Sequence, residues 1–357
     1  MILLGSTGSI GVNALAIAKR FGLSVDTLVA GRNITLLNQQ IQQFSPKRVV
    51  VLNPQDIVHV NHPNVHAGEE AILEAIEIST SDFVVNALVG FAGFRPTLKA
   101  LECGKRIALA NKESLVVGGA FVDTSHIIPI DSEHFGLWYL NQTSRPISRM
   151  LITASGGAFR DWPIEKIQEA TLKDALNHPN WSMGQKITID SASMMNKMFE
   201  LLEARWLFGE GEYDAIIETK SIIHALIDYQ DGSTTAHLAN ANMQLPIAYA
   251  LMGKSDEKIL PSVNLLEVGS LEFREITSER YPIWEIRKEL LLNPQRGVVV
   301  NAANEVAIEL FVEGKITFLD ISKRVIHAFE RFDAKPQCIE DIFTLNTEVR
   351  QYVRGLS

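Results

Sequence analysis

Two carboxylates two residues apart, in Asp131-Ser132-Glu133, are the first feature of this 357-residue chain able to do chemistry. They follow a strand-like run, Ile127 to Ile130, and the spacing puts both on one side of an extended segment at a strand end. Converging carboxylates make a hard-oxygen site suited to Mg²⁺ or Mn²⁺ if a third joins them; without one they are equally a solvated acidic turn. A third is offered by Asn196-Lys197-Met198-Phe199-Glu200 inside the helix-like run Met194 to Phe208. There Glu200 lies one turn after Asn196 and Lys197 on a shared face, an arrangement that also serves a plain i,i+3 ion pair. Upstream, the hydroxyls of Asp190-Ser191-Ala192-Ser193 are expected at a helix N-terminus, so that Ser191, Asn196 and Lys197 together make a phosphate cradle.

Two further segments carry reactive side chains. His178-Pro179-Asn180-Trp181-Ser182-Met183-Gly184 reads as a loop stiffened by a proline and ended by a glycine. It is either a flap that closes over a ligand or a packed surface loop. Lys112 and Glu113, in Asn111-Lys112-Glu113-Ser114, follow the strand-like run Arg106 to Leu109. They sit at the carboxyl end of a strand, where α/β sheets bind ligands, and are otherwise an exposed charged turn.

At the start of the chain, Gly5-Ser6-Thr7-Gly8-Ser9-Ile10-Gly11 follows a strand and opens a helix. Glycines there permit a tight turn and let a pyrophosphate rest on backbone amides at the helix N-terminus; the alternative is a plain βα turn. The end of the second strand discriminates between cofactors, because a carboxylate accepts from a ribose 2′-hydroxyl whereas a cation suits a 2′-phosphate. Here it reads Ala30-Gly31-Arg32-Asn33, which favours NADPH.

These residues need elements to hold them. From residue 1 to about 130, apolar β-branched runs (2–4, 25–30, 48–52, 83–87, 106–109 and 127–130) alternate with helical spacing at 12–21, 34–44 and 69–78, the pattern of βαβ units on a parallel sheet. The expected architecture is α/β: an N-terminal Rossmann-like doubly wound sheet (1–130) for NADPH and a central α+β catalytic region (131–253) for metal and substrate. A connecting arm (254–280) and a C-terminal helical domain (281–357) complete it, the last with amphipathic runs at 303–312, 318–332 and 344–356. With 46% hydrophobic and 21% charged residues the chain can bury a sizeable core. Its net charge of -9 argues against a nucleic-acid surface. Cys103 and Cys338 are the only cysteines, which supports neither a disulfide framework nor a thiolate metal site and fits a reducing cytoplasm. No export signal is visible, and the apolar run 83–93 falls short of the roughly 18 residues of a membrane helix.

Five blocks occur in one order: Gly5 to Gly11, Ala110-Asn111-Lys112-Glu113-Ser114, Asp131-Ser132-Glu133-His134, His178 to Gly184, and Met195-Asn196-Lys197 through Glu200. In that order the chain resembles the 1-deoxy-D-xylulose 5-phosphate reductoisomerase family over most of residues 1–250, with a weaker echo at Asn301-Ala302-Ala303-Asn304-Glu305. The resemblance implies a divalent cation (Mg, Mn or Co) held by Asp131, Glu133 and Glu200, and a substrate phosphate held by Ser155, Ser191, Asn196 and Lys197. It makes Lys112, Glu133, His178 and His224 catalytic, and extends the substrate contacts to Ser132, Trp181 on the flap and Ser221. It places NADPH on Thr7, Gly8, Ser9, Ile10, Gly31, Arg32, Asn33, Asn111, Lys112, Glu113, Met183 and Gly184. The reaction it implies rearranges 1-deoxy-D-xylulose 5-phosphate by retro-aldol cleavage and re-addition and then reduces the aldehyde to 2-C-methyl-D-erythritol 4-phosphate, in a homodimer. The chain departs from the usual family text at Phe135-Gly136, Gln185, Ala154, Ala158 and Glu218-Thr219-Lys220, the last placing unfamiliar charges beside Ser221 and His224. Two other readings compete: a metal-free NADP-dependent semialdehyde-type dehydrogenase and a redox-sensing module that binds NADPH.

Overall fold

The computed structural model describes residues Met1 to Leu356 and divides into two compact units. Of the described residues, the first comprises 1–114, 123–131 and 242–260, the second 115–122, 132–241 and 261–356.

In the first unit seven parallel strands form one sheet: β1 (Ile2–Leu4), β2 (Thr27–Ala30), β3 (Arg48–Val51), β4 (Val65–Ala67), β5 (Phe83–Asn86), β6 (Arg106–Leu109) and β7 (Ile127–Pro129). Their spatial order is β4-β3-β2-β1-β5-β6-β7. β1 pairs on one side with β2 (Leu3↔Leu28) and on the other with β5 (Leu3↔Val85), so the strand order reverses there. That switch point is where a doubly wound sheet opens a crevice at its carboxyl edge. β1, β2 and β5 are buried throughout, which is why they read as continuous apolar runs instead of alternating ones. β4, only three residues long and half-buried, left no such run.

The helices along the chain are α1 (Ser9–Arg20), α2 (Ile34–Phe44), α3 (Glu69–Ile78), α4 (Phe94–Glu102), α5 (Lys112–Gly118), α6 (Ser132–Leu140), α7 (Leu172–Ala175), α8 (Gln185–Ser193), α9 (Met195–Phe208), α10 (Gln244–Met252), α11 (Leu265–Val268), α12 (Arg287–Leu292), α13 (Gly297–Val312), α14 (Phe318–Arg331) and α15 (Ile339–Gly355). α10 lies in the first unit because Ile247, Ala248 and Ala250 join the core built on Leu3, Leu28, Val49 and Val85. Among the described residues no helix is long and apolar enough to cross a membrane.

The second unit holds a five-stranded mixed sheet of β8 (Ile147–Ala154), β9 (Tyr213–Glu218), β10 (Ile223–Tyr229), β11 (Thr234–Leu238) and β12 (Phe273–Arg274) in the order β11-β10-β8-β9-β12. Only β8 and β9 run parallel. β12, inside the stretch expected to be an arm, pairs antiparallel with the end of β9. Phe159, Ile189, Ala192, Ala307, Phe311, Phe318 and Ile321 form a shared core, in which the C-terminal helix α14 packs on α8.

Two local expectations are corrected. Ser132 and Glu133 begin α6 instead of continuing an extended segment: Glu133 falls in the first turn, where a carboxylate complements the helix dipole. Asp190 to Ser193 form the last turn of α8, not a helix start. The two helices are separated by Met194 alone, held left-handed at φ 70°.

Candidate active site

The turn after β1 is made by steric demand. Gly5 has φ +86°, and a Cβ there would meet Ala87 O at 2.6 Å; one on Gly11 would meet Gly5 O at 2.3 Å. Only glycine allows both approaches. Gly8 caps α1 with no side chain, which leaves the first-turn N–H groups of a twelve-residue helix to an outside acceptor. Thr7 and Ile10 are half-buried, and Gly8 and Ser9 are exposed. Beyond β2, Gly31 is half-buried and Arg32 exposed, while Asn33 caps α2 by accepting from Leu36 N at 3.1 Å. This set fits a pyrophosphate with a 2′-phosphate near Arg32.

Asn111 is committed to structure: its amide donates to Leu88 O (2.9 Å) and Gly90 O (2.8 Å) and its oxygen accepts from Ser114 N (3.1 Å). That frame fixes the start of α5, whose first residue, Lys112, is buried and donates to Asp131 Oδ2 at 2.9 Å. Glu113 beside it is buried and accepts from Asn111 Nδ2 at 3.2 Å.

The carboxylates of Asp131, Glu133 and Glu200 offer oxygens that all lie within 4.8 Å of one another. Glu200 is 1% exposed, a position a carboxylate holds only with partners. It accepts from Asn196 Nδ2 at 2.5 Å and from Lys197 Nζ at 2.6 Å, the i,i+4 and i,i+3 contacts that the helical spacing requires. Lys197 also donates to Glu133 Oε1 at 2.5 Å, and Ser132 Oγ donates to Glu133 Oε2 at 2.5 Å. Three oxygens of this hardness and closeness fit a divalent cation. Lys197 therefore lies against the carboxylates, and Asn196 is oriented toward Glu200.

A second group gathers around His178. Its Nδ1 accepts from the backbone N–H of Asn180 (3.1 Å) and Trp181 (2.9 Å), which puts the ring hydrogen on Nε2. Nε2 faces Ser155 Oγ at 2.8 Å and Ser191 Oγ at 3.2 Å. Burial first, then the charges of Lys197 and Arg160, push the imidazole down to about 4, so it is a neutral donor at physiological pH. Ser155 directly follows β8, and two residues on is Gly157, φ +68°, where a Cβ would strike Ser191 O at 2.5 Å; the glycine lets this segment lie against α8.

Asn180 donates to Ser221 Oγ at 2.7 Å and to Thr219 O at 2.9 Å, the latter shared with Arg160, which also holds Ser155 O at 3.0 Å. Ser221 is in the left-handed region at φ 54°. Fully buried Glu218 organises that turn by accepting from Lys220 N (2.7 Å), Ile222 N (2.7 Å) and Ile223 N (3.2 Å). Lys220 turns outward to Val268 O. His224, buried on β10, lies edge-on to Trp181 at 6.3 Å between centroids, with His237 behind it at 6.1 Å. Met183 is half-buried and Gly184 caps α8.

Sequence reasoning gave no part to Asn180, Arg160 or His134. His134 is fully buried, with Nε2 2.8 Å from Glu200 O and Nδ1 3.3 Å from Glu203 Oε2. The signal for it was the i,i+3 spacing of Glu200 and Glu203 on α9; the other two act through contacts remote in sequence.

Three family models match: 1-deoxy-D-xylulose 5-phosphate reductoisomerase over 1–119, the reductoisomerase C-terminal domain over 127–208, and the DXP reductoisomerase C-terminal domain over 238–352. A protein of Nautilia profundicola named 1-deoxy-D-xylulose 5-phosphate reductoisomerase is 58% identical over 99% of this chain and 98% of its own. One from Wolinella succinogenes with the same name is 53% identical over the whole of both chains. A crystal structure of DOX-P reductoisomerase with NADPH, fosmidomycin and magnesium superposes with a TM-score of 0.91 at 33% identity, over 99% of this chain and 97% of that one. The enzyme from Zymomonas mobilis in complex with NADPH gives 0.88 at 32% identity, over 99% of both. By sequence and fold alike, the chain belongs to the 1-deoxy-D-xylulose 5-phosphate reductoisomerase family.

Proposed function

We propose that this chain rearranges and reduces 1-deoxy-D-xylulose 5-phosphate to 2-C-methyl-D-erythritol 4-phosphate, with NADPH and a divalent cation, in isoprenoid precursor biosynthesis. The observation that carries the reading is the convergence of Asp131, Glu133 and Glu200 within 4.8 Å. We assign the cation to these three carboxylates and the cofactor's pyrophosphate to the turn Thr7 to Ile10. The 2′-phosphate goes to Gly31, Arg32 and Asn33, and the rest of NADPH to Asn111, Lys112, Glu113, Met183 and Gly184. In this reading residues 1–130 serve the cofactor and 131–253 the metal and substrate, with 254–280 as an arm and 281–357 as helical support.

When bound, the cation polarises the sugar's carbonyl and hydroxyl oxygens and NADPH supplies the hydride. The chain's own side chains do the rest. Ser155, Ser191, Asn196 and Lys197 receive the phosphate; a lysine on its four-carbon stem can turn from a carboxylate to a phosphate oxygen. His178 holds a sugar oxygen as a neutral Nε2–H donor, Ser132, Ser221 and His224 orient the others, and Lys112 supplies positive charge beside Asp131. Trp181 covers the sugar and excludes water, and phosphate binding energy can be spent on ordering that loop.

The deciding experiment is NADPH oxidation with 1-deoxy-D-xylulose 5-phosphate, with and without EDTA. Loss of turnover in chelator, restored by Mg²⁺ or Mn²⁺, is expected; undiminished turnover would favour the metal-free dehydrogenase reading. A homodimer is supported by the apolar residues exposed around β12, Leu265 (59%), Leu266 (93%) and Phe273 (48%), and light scattering tests it.

A further inference from the structure

Asn304 lies in the middle of α13, in the Asn301 to Glu305 block, and is fully buried. A buried amide in an apolar helix is a cost, and here it is only half repaid: Oδ1 has no protein partner. Nδ2 donates to Asp190 Oδ1 at 2.7 Å, a bond spanning 114 residues of chain. Asp190 is 2% exposed in the last turn of α8, and its other oxygen accepts from Lys186 Nζ at 2.8 Å, one turn earlier on the same helix. Lys186 Nζ in turn lies 5.3 Å from the ring centroid of Phe199, the residue before Glu200 on α9. One buried line of contacts thus runs from α13 through both ends of α8 to α9.

α8 begins at Gly184, where the His178 loop ends, and carries Ser191, whose Oγ is 3.2 Å from His178 Nε2. Left-handed Met194 ends α8, and Gly157 lets the strand end after β8 lie directly against Ser191. We propose that Asn304, Asp190 and Lys186 form a positioning relay that fixes α8, so that Ser191 and the hinge of the His178 loop are held ready for the sugar phosphate. Asn304 touches neither substrate nor cofactor in this scheme; it is a positioning residue acting through Asp190. The inference rests on the proposed substrate contacts of Ser191 and His178.

The relay has an exchange test. Asn304→Asp sets two carboxylates against each other, whereas the double variant Asn304→Asp with Asp190→Asn restores one donor and one acceptor and leaves an amide oxygen for Lys186. The single variant should raise KM for 1-deoxy-D-xylulose 5-phosphate about tenfold with little change in kcat, and the double variant should return it to within about threefold. Amide hydrogen exchange should quicken in 184–193 in the single variant, without a matching rise in the first unit, and recover in the double. An unchanged KM, a rise that the double variant does not repair, or unaltered exchange in 184–193 would overturn the relay. Should Asn304→Asp not fold, Lys186→Met breaks the relay at its more accessible end. A KM raised about threefold supports the proposal and an unchanged one refutes it. Ser191→Ala separates the two layers. If it leaves KM unaltered, the substrate reading of Ser191 fails and the exchange pattern alone decides the relay.

Discussion

Glu200→Gln asks whether three oxygens or two hold the cation. The substitution keeps the shape of a side chain only 1% exposed and can keep the Asn196 contact, now 2.5 Å, through its amide oxygen. It removes the charge and turns an NH₂ toward Lys197 Nζ, which Glu200 meets at 2.6 Å. Removing one partner of a buried ion pair costs about 3–5 kcal/mol when the survivor is stranded. Lys197 is not stranded, because Glu133 holds it at 2.5 Å, so the loss of stability should stay below that range. The effect on the cation is separate: a contact with a charged group is worth about 1.5–3 kcal/mol, which is about 10- to 150-fold in affinity. Titrating Mn²⁺ against the variant and following the free ion by its paramagnetic resonance measures this directly, with a thermal melt to show that the fold survives. Turnover should also need correspondingly more Mg²⁺. A folded Glu200→Gln variant with the wild-type Mn²⁺ affinity would remove Glu200 from the metal set and leave Asp131 and Glu133 too few to hold it.

Lys197→Ala should raise KM for the sugar phosphate by about 10- to 150-fold, the value of one charged contact; an unchanged KM in steady-state assays would take Lys197 out of the phosphate site. Arg32→Ala should narrow the preference for NADPH over NADH by about tenfold, less at high salt because Arg32 is exposed, and an unaltered ratio of kcat/KM values would refute its contact with the 2′-phosphate. His178, held by burial near 4 against an ordinary 6.5, binds its proton more weakly in the folded chain than in the unfolded one. Stability should therefore fall as pH drops from 6.5 toward 4, and part of that fall should vanish in His178→Gln. His237, also lowered to about 4 by burial and by His224, contributes in the same window and keeps the remainder. An NMR titration that finds His178 protonating near 6.5 would refute the neutral-donor assignment.

Much of the first unit was legible because its signals are local. α2 and α3 were bounded correctly by apolar spacing, as were β1 and β6 by short apolar runs, and β5 was found to within one residue. What failed was local structure decided by distant contacts. Asp131-Ser132-Glu133 looked like the continuation of β7, although an acidic residue at the head of Phe135, Leu137 and Leu140 is also a helix start. The boundary between α8 and α9 rests on a left-handed methionine, a residue type that carries no such preference, so Asp190 to Ser193 were assigned to the wrong end of a helix. β12 is recognisable only as the partner of β9, since two residues carry no pattern of their own.

The site residues show the same division. Asn196, Lys197 and Glu200 could be related by counting along one helix, and their hydrogen bonds follow from that count. The partners of His178 could not: Ser155 and Ser191 stand 23 and 13 residues away, and the imidazole's tautomer is set by two backbone N–H groups of its own loop. Glu218-Thr219-Lys220 shows why a departure in sequence need not be one in chemistry. Unfamiliar charges beside Ser221 and His224 cast doubt on both, yet Glu218 spends its carboxylate on three backbone amides and Lys220 points its ammonium at Val268 O. Neither charge is aimed at Ser221 or His224. A buried carboxylate that accepts three N–H groups is an element of backbone structure, and it holds Ser221 in a left-handed conformation that this residue type seldom adopts unaided.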